Sequence, residues 1–420
     1  MTTELPPKLW SDEPVREAAQ FLRRIAFVLL FGAAPAFSPY STRSLFLFGT
    51  IGSVVLVLAS VIEGKLNLRR LASPSLALSI TLASAFIYVF WSGLSLAWTP
   101  FPGESGGRYA TFVTIVLAGF ILVLLLKDRV GASRLYALSV GVTIGWIMCL
   151  GISFAPDIEI EHSTIEQSLI TLIPMTPTTI VWLIYRRRDL LALVLSCSAI
   201  FTVISLQDSV MILAFAVSCG VFLFALASPD RTRAALAYGF GISILVAPLL
   251  PLIIVGPVRI FVGDESIVTQ VFDPLYQIIT DDPFRLLTGH GFDTLLRAAR
   301  AGLIPPNSPH GLLIDCWFEL GLIGALSFAA LLIGLVMLSS TMTRPSAAAM
   351  LAVMAGAFVV GVFGRNLPLQ QWLASLALAA LAIGALERGQ YKTARPRSRD
   401  IAELAQQTHR FSFVPHWLQF

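Results

Sequence analysis

His310 is the residue in this chain whose type and position best suit acid–base chemistry. It follows Ser308 and Pro309, which are typical of the N-cap and the first position of a helix. We therefore expect His310 in the first turn of a helix, where the positive helix end favours the neutral imidazole. A neutral histidine in a water-restricted place can act as a general base. The alternative is a histidine that only hydrogen-bonds a loop carbonyl.

A Gly-x-Gly turn, Gly289-His290-Gly291, lies ahead of this histidine, with Arg285 close before it. The two glycines favour a tight turn with exposed backbone amides. Such amides, with a nearby arginine, suit an anionic phosphate. An ordinary turn without a ligand is the alternative interpretation.

Three further arginines are candidates for binding an anion. Arg297 and Arg300 are spaced at i,i+3 in a short helix predicted from Asp293 to Ala301, so they lie near each other. Arg108 begins an apolar span and could reach a phosphate at a bilayer surface. Simple snorkelling of the Arg108 side chain is the alternative.

Two carboxylates, Asp315 and Glu319, share one face of the long apolar helix predicted after His310. Carboxylates inside an apolar span indicate a functional site by default because their burial is costly. On a straight helix Glu319 lies about 13 Å deeper than His310 and points away from it. We therefore expect Glu319 to be a bundle-internal group paired with an arginine or a backbone group. No sequence motif indicates a metal or a cofactor.

The composition indicates what positions these residues. The chain has 420 residues, of which 56% are hydrophobic and 13% charged, whereas soluble proteins have about 25% charged residues. This composition is typical of a polytopic membrane protein. The net charge of +4 comes from basic residues between apolar segments, which excludes a nucleic-acid surface.

The predicted fold is an all-α integral membrane protein. A span needs roughly 20 apolar residues, and about twelve segments qualify. They lie near residues 24–38, 44–62, 75–97, 109–126, 135–155, 166–185, 189–206, 209–227, 235–256, 310–338, 346–364 and 369–386.

Basic residues divide unequally between the two sides of this topology. With the N-terminus in the cytoplasm, 22 of the 29 basic residues fall on the cytoplasmic side, as the positive-inside rule requires. Both termini are then cytoplasmic, and the loop 257–309 between the ninth and tenth spans is extracytoplasmic. The predicted division is a cytoplasmic segment 1–23, a transmembrane domain 24–387 and a basic, amphipathic cytoplasmic tail 388–420.

Two stretches resemble motifs of one superfamily, the O-antigen ligases and the O-antigen or exopolysaccharide polymerases. His310, followed by Leu313 and the run Glu319-Leu320-Gly321-Leu322-Ile323-Gly324, is similar to a pattern of His-Asn, a Leu three residues after the His, and Glu-x-Gly-x-x-Gly. Residues 94–102 resemble the pattern Leu-Ser-x-x-Trp-Ser-x-Asp-Pro near the third span.

The resemblance implies a metal-independent, inverting glycosyltransferase without a cofactor. Such a protein transfers a saccharide from an undecaprenyl-diphosphate carrier to an acceptor hydroxyl at the outer face of the bacterial inner membrane. The acceptor is lipid A–core for a ligase and a growing glycan for a polymerase. A flippase and a chain-length regulator are implied partners, and nucleic acid is not.

The resemblance also implies roles for the residues above. His310 would activate the acceptor, and the basic residues would bind the diphosphate or the rest of the substrate. The basic residues are Arg285, Arg297, Arg300, Arg108 and His290. The supporting residues are Glu319, Asp315, Gly289 and Gly291.

The chain departs from the family pattern at several positions. Phe101 stands where Asp is usual, and Gly311 where Asn is usual. The arginines that the family often has after the 207–209 turn and ahead of the Gly-x-Gly turn are missing. Two other functions therefore stay open, a solute transporter and a non-catalytic membrane scaffold of a polysaccharide export system.

Overall fold

The computed structural model describes residues 12–63, 75–126, 130–131, 135–154, 162–251, 253, 255, 272, 276, 282, 284–303, 311–364 and 368–390. Most of these residues are helical. The strands among them are β1, Val130–Gly131, and β2, Gly389–Gln390, which pair in parallel.

The helices are numbered here in chain order. They are α1 Asp12–Phe27, α2 Ala34–Phe37, α3 Thr42–Ile62, α4 Leu76–Leu94, α5 Pro102–Leu124, α6 Tyr136–Phe154, α7 His162–Tyr185, α8 Asp189–Ser205, α9 Ser209–Ala227, α10 Pro229–Val246, α11 Arg285–Thr288, α12 Thr294–Arg300, α13 Leu312–Leu338, α14 Arg344–Phe363 and α15 Leu369–Glu387. A π-helical segment, Val28–Ala33, joins α1 to α2, and a 3-10 turn, Ser95–Ala97, follows α4.

Ten helical segments of the described part of the chain are long and apolar enough to cross a membrane. The protein is therefore a multi-pass helical membrane protein. Two of the predicted spans fall on helices outside that group, namely α8 with 17 residues and α10 with 18. The count of twelve and the cytoplasmic placement of both termini stay predictions.

The first span begins earlier than the sequence predicts. Helix α1 starts at Asp12 and the apolar span at Glu17, so the boundary proposed at residue 23 falls inside a helix. Arg23 is only 3% exposed and bonds Glu63 of α3 at 2.9 Å. This ion pair allows a basic residue to lie inside the packed bundle, since a buried charge needs a partner.

Helix α7 lies at the centre of the bundle and packs against α6, α9, α14 and α15. Its polar side chains find partners on neighbouring helices. Thr171 lies 3.0 Å from the Ser375 hydroxyl, and Thr176 accepts a hydrogen bond of 2.9 Å from the Trp146 indole. Small hydroxyl side chains of this kind let helices approach closely and bond across an apolar bundle.

Helix α13 differs from the predicted tenth span in two ways. It begins at Leu312, after an extended Gly311, rather than at Pro309, so the prediction of His310 in its first turn is wrong. A Cβ at Gly311 would meet the Val362 carbonyl of α14, which explains glycine at this position. The helix is also not straight, because Gly321 has φ 64° and ψ −158°, far from helical values.

We expect Gly321→Ala to destabilise the protein. This backbone conformation is essentially restricted to glycine and costs about 1–3 kcal/mol for other residues. A Cβ would also stand 2.5 Å from the Leu287 carbonyl oxygen. The measurement is the thermal unfolding midpoint in detergent, with Gly220→Ala as the control, because an added Cβ there meets nothing within 4 Å. Equal midpoints for the two variants would contradict the assigned helix break.

Candidate functional site

The break in α13 is surrounded by hydrogen bonds from outside the helix. The backbone amides of His290 and Gly291 donate to the carbonyls of Phe318 and Glu319 at 2.8 and 2.9 Å. The Trp91 indole of α4 donates to the next carbonyl, Leu320, at 2.8 Å. Non-helical backbone inside an apolar span is tolerated only where its polar groups are satisfied by protein. The Gly-x-Gly turn and α4 supply that satisfaction here.

Three glycines with positive φ allow this close approach: Gly289, Gly291 and Gly321. A Cβ on Gly289 would strike the Glu319 carbonyl, and one on Gly291 would stand 2.6 Å from Thr99 Cα. The two motifs in which these glycines lie therefore touch each other directly.

This packing overturns the expectation that the turn exposes amides to a phosphate. The His290 and Gly291 amides bond the broken helix, and the Gly289 amide bonds the Arg285 carbonyl at 2.7 Å. The turn has a structural role, because its amides bond carbonyls of α13 that lack helical partners at the break. The alternative interpretation, a turn without a ligand at its amides, is the one that the geometry supports.

The stretch 94–102 meets the same region. The Phe292 amide donates to the Ser95 hydroxyl at 3.0 Å, and the Thr99 hydroxyl lies 3.1 Å from that of Thr294. These contacts join the connection between α4 and α5 to the start of α12. Three segments far apart in sequence, 91–102, 289–294 and 318–321, thus form one packed unit.

A cavity of about 630 Å³ lies beside this unit. Its lining comes from one end of the bundle: the last turns of α4 and α14, the first turns of α5, α13 and α15, and the short helix α12. The charged residues lining it are Glu104, Arg108, Asp293, Arg297, Arg300, Asp315 and Glu319. Among the described residues, the opposite ends of these helices contribute nothing to its walls.

Asp293 connects two of the cavity arginines. Its carboxylate pairs with Arg108 of α5 and, at 2.5 Å, with Arg297 of α12, and Arg297 also pairs with the exposed Glu104. Asp293 is 3% exposed and has a left-handed backbone, φ 63°. Burial raises the pKa of the Asp293 carboxyl above its usual value, and the Arg108 guanidinium opposes that rise.

Arg300 differs from the other two cavity arginines. It is exposed at the end of α12 and lines the cavity. It forms no hydrogen bond or ion pair with any residue that the structure describes. Arg300 is therefore the cavity arginine that can bind an anion without first losing a carboxylate partner.

Asp315 and Glu319 both line the cavity, as their shared helix face requires. The Gly311 amide donates to Asp315 at 3.4 Å, and the Asp293 amide lies next to the Glu319 carboxyl. The expected pairing of Glu319 with a backbone group agrees with this contact. Neither carboxylate forms an ion pair within the described part of the chain.

Arg285 and His290 lie apart from the cavity, beside a smaller cleft that also includes Asp282 and Trp317. Arg285 faces Asp282 at 3.6 Å. The structure thus separates the basic residues that the sequence grouped together, because the Gly-x-Gly turn directs His290 to the other side of α13. His310 lies outside the described residues, but the next residue, Gly311, lines the cavity.

The sequence did not predict four residues that line the cavity: Asp293, Glu104, Tyr88 and Trp372. One signal was available, because Asp293 precedes Arg297 by four residues in a predicted helix. The other contacts join residues that are distant in sequence and carry no local pattern.

No protein-family model matches this chain, and no curated protein resembles it significantly.

We expect Asp293→Asn to lower the stability of the fold by roughly 1.5–3 kcal/mol, because it weakens charged hydrogen bonds to two arginines. The matched control is Asp230→Asn, which removes a solvent-exposed partner of Arg233 and should change stability by about 0–1 kcal/mol. Thermal unfolding in detergent measures both. A loss no larger than that of the control would show that Asp293 does not organise the arginines.

We also expect a pH dependence from His290. Its ring stacks on Phe318 at 4.3 Å, and Nδ1–H donates to the Phe318 carbonyl at 3.1 Å, since a carbonyl can only accept. Burial lowers the pKa of His290 below its usual 6.5. At pH values between the lowered pKa of the folded protein and 6.5, the unfolded chain binds more protons than the folded one. The free energy of unfolding therefore falls as the pH falls below 6.5.

The measurement is the thermal midpoint between about pH 7 and about pH 5 for the wild type and for His290→Asn, whose amide retains a donor but does not titrate in this range. The wild type should lose more stability over this interval. Parallel pH profiles would contradict the assignment of a neutral, buried imidazole.

Proposed function

We propose that the protein is a membrane glycosyltransferase of the O-antigen ligase or polymerase type. It transfers a saccharide from an undecaprenyl-diphosphate carrier to an acceptor hydroxyl at the outer face of the bacterial inner membrane. The observation that carries this proposal is the contact of three segments around one helix break. Two of these segments, 91–102 and 318–321, fall in the two stretches that bear the resemblance to that superfamily, and a chance resemblance in apolar sequence gives no reason for them to meet.

The arginines of the cavity support a diphosphate ligand. Arg300 has no competing partner among the described residues, and Arg108 and Arg297 lie in the same cavity. Guanidinium groups bind phosphate oxygens through two parallel hydrogen bonds. They would stabilise the negative charge of the departing carrier diphosphate.

In the proposed reaction the acceptor oxygen attacks the anomeric carbon of the saccharide. The bond from that carbon to the diphosphate breaks, and the diphosphate leaves with the electron pair. His310 takes the acceptor proton as general base. Attack from the face opposite the leaving group inverts the anomeric configuration, and neither a metal nor a cofactor takes part.

The position of the cavity favours this function over a transporter. A transporter brings its substrate site near mid-membrane, between broken helices of two repeats. Here the described lining residues come from one end of the bundle, next to the segment that contains the predicted extracytoplasmic loop. A lipid-linked saccharide could reach such a site from one side of the membrane.

A non-catalytic scaffold is the second candidate, and one observation favours it. Two of the three cavity arginines are already paired with carboxylates, Arg108 with Asp293 and Arg297 with both Asp293 and Glu104. A scaffold would use these pairs only to hold its helices together. The experiment below distinguishes the two functions.

We expect His310→Ala and Arg300→Ala each to abolish or strongly reduce polymer or ligated glycan in a deletion strain, with carrier-linked saccharide accumulating. Loss of one charged hydrogen bond at Arg300 corresponds to a decrease of roughly 10-fold or more. Arg285→Ala is the matched control, because Arg285 lies outside the cavity. Membrane levels are checked by immunoblot. Wild-type glycan from His310→Ala would exclude the proposed mechanism and favour the scaffold.

A further inference from the structure

The cavity has a second wall of different chemistry from its arginines. We call it the acidic wall, formed by Asp315 and Glu319 of α13, Tyr88 of α4 and Trp372 of α15. The four side chains come from three helices, so the wall exists only in the packed bundle.

The two carboxylates of the acidic wall have unused hydrogen-bonding capacity. Asp315 accepts from the Gly311 amide, Glu319 lies next to the Asp293 amide, and neither has an ion-pair partner among the described residues. A carboxylate offers about four lone-pair sites. Each therefore retains positions for donors of a ligand.

The indole of Trp372 supplies an independent indication of a ligand. Trp372 is 6% exposed, and its Nε1–H has no hydrogen-bond partner in the described structure. Its Cζ2, which is bonded to the same ring carbon as Nε1, lies 3.3 Å from the place of a Cβ on Gly361. Gly361 and Trp372 both line the cavity.

Tyr88 contributes a fixed aromatic surface. Its ring contacts Phe328 at 5.5 Å and Phe112 at 6.3 Å between ring centroids, and its hydroxyl lies near Cys316. The wall thus combines carboxylate acceptors, an indole donor and an aromatic ring. A sugar ring matches all three groups. Its hydroxyls can donate to the carboxylates, its oxygens can accept from the indole, and its apolar C–H face can pack against the aromatic ring.

We propose that the acidic wall binds the saccharide of the lipid-linked substrate, while the arginines bind its diphosphate. This inference rests on the proposed function and assigns one part of the same substrate to each wall. Asp315 and Glu319 accept hydrogen bonds from sugar hydroxyls, Trp372 donates to a sugar oxygen, and Tyr88 packs against the ring. The acidic wall then recognises the glycan rather than the carrier.

The test compares two ligands on the purified full-length protein in nanodiscs. One is bare undecaprenyl diphosphate, and the other is the carrier-linked saccharide extracted from a strain that lacks this protein. Native mass spectrometry gives the ratio of their affinities. We expect the wild type to prefer the saccharide-bearing lipid by roughly 10-fold or more, the contribution of hydrogen bonds to charged groups.

Glu319→Gln and Asp315→Asn should each bring this ratio towards one and leave the affinity for the bare carrier unchanged or increased. Arg300→Ala should weaken both ligands and leave the ratio unchanged. Retained binding of the bare carrier is the check that a variant is folded, and loss of bare-carrier binding in both acidic variants would overturn a saccharide-specific role.

Two other results separate this inference from the proposed function. A wild type that binds both lipids equally, or acidic variants with the wild-type ratio, overturns the acidic wall as the glycan site and leaves the glycosyltransferase proposal standing. A wild type that binds neither lipid overturns both.

Discussion

The need to satisfy backbone carbonyls at the break in α13 constrains the rest of the site. An apolar span offers no water to a carbonyl that has left the helical ladder, so other protein groups must reach it. The amides of His290 and Gly291 and the indole of Trp91 do so. Because these donors come from a loop and from α4, the break determines where both must pack. The cavity lies beside these contacts.

The contacts around the break in α13 also determine which charged groups of the cavity pair with each other. Phe292 and Thr294 are tied to α4 and its following turn, and the residue between them, Asp293, is thereby directed to Arg108 and Arg297. One buried carboxylate thus lies between two guanidinium groups and offsets their mutual repulsion. Arg300, one turn further along α12, keeps its charge for a ligand. The carboxylates of α13, Asp315 and Glu319, line the same cavity.

The packing also explains Gly311, one of the departures from the superfamily pattern that the sequence resembles. Gly311 lies against the Val362 carbonyl, where any side chain would collide. The Gly-x-Gly turn looked like a phosphate site because its glycines free backbone amides, but those amides serve the helix break. His290 is consequently held beside the smaller cleft with Arg285, away from Arg108, Arg297 and Arg300. The sequence motif predicted the tight turn correctly but did not predict the groups that the turn contacts.

The sequence by itself determined the helical membrane class, nearly all of the helices, the short helix that carries Arg297 and Arg300, and the shared face of Asp315 and Glu319. These follow from hydrophobic length and from the helical period, which are local properties of the chain. Only the tertiary structure decided the break at Gly321, the start of α13 at Leu312, the pairing of Asp293 with Arg108, and the division of the basic residues between a cavity and a cleft. Each of these depends on a close approach between segments that are distant in sequence, and such an approach is selected by packing and by satisfaction of buried polar groups rather than by local periodicity.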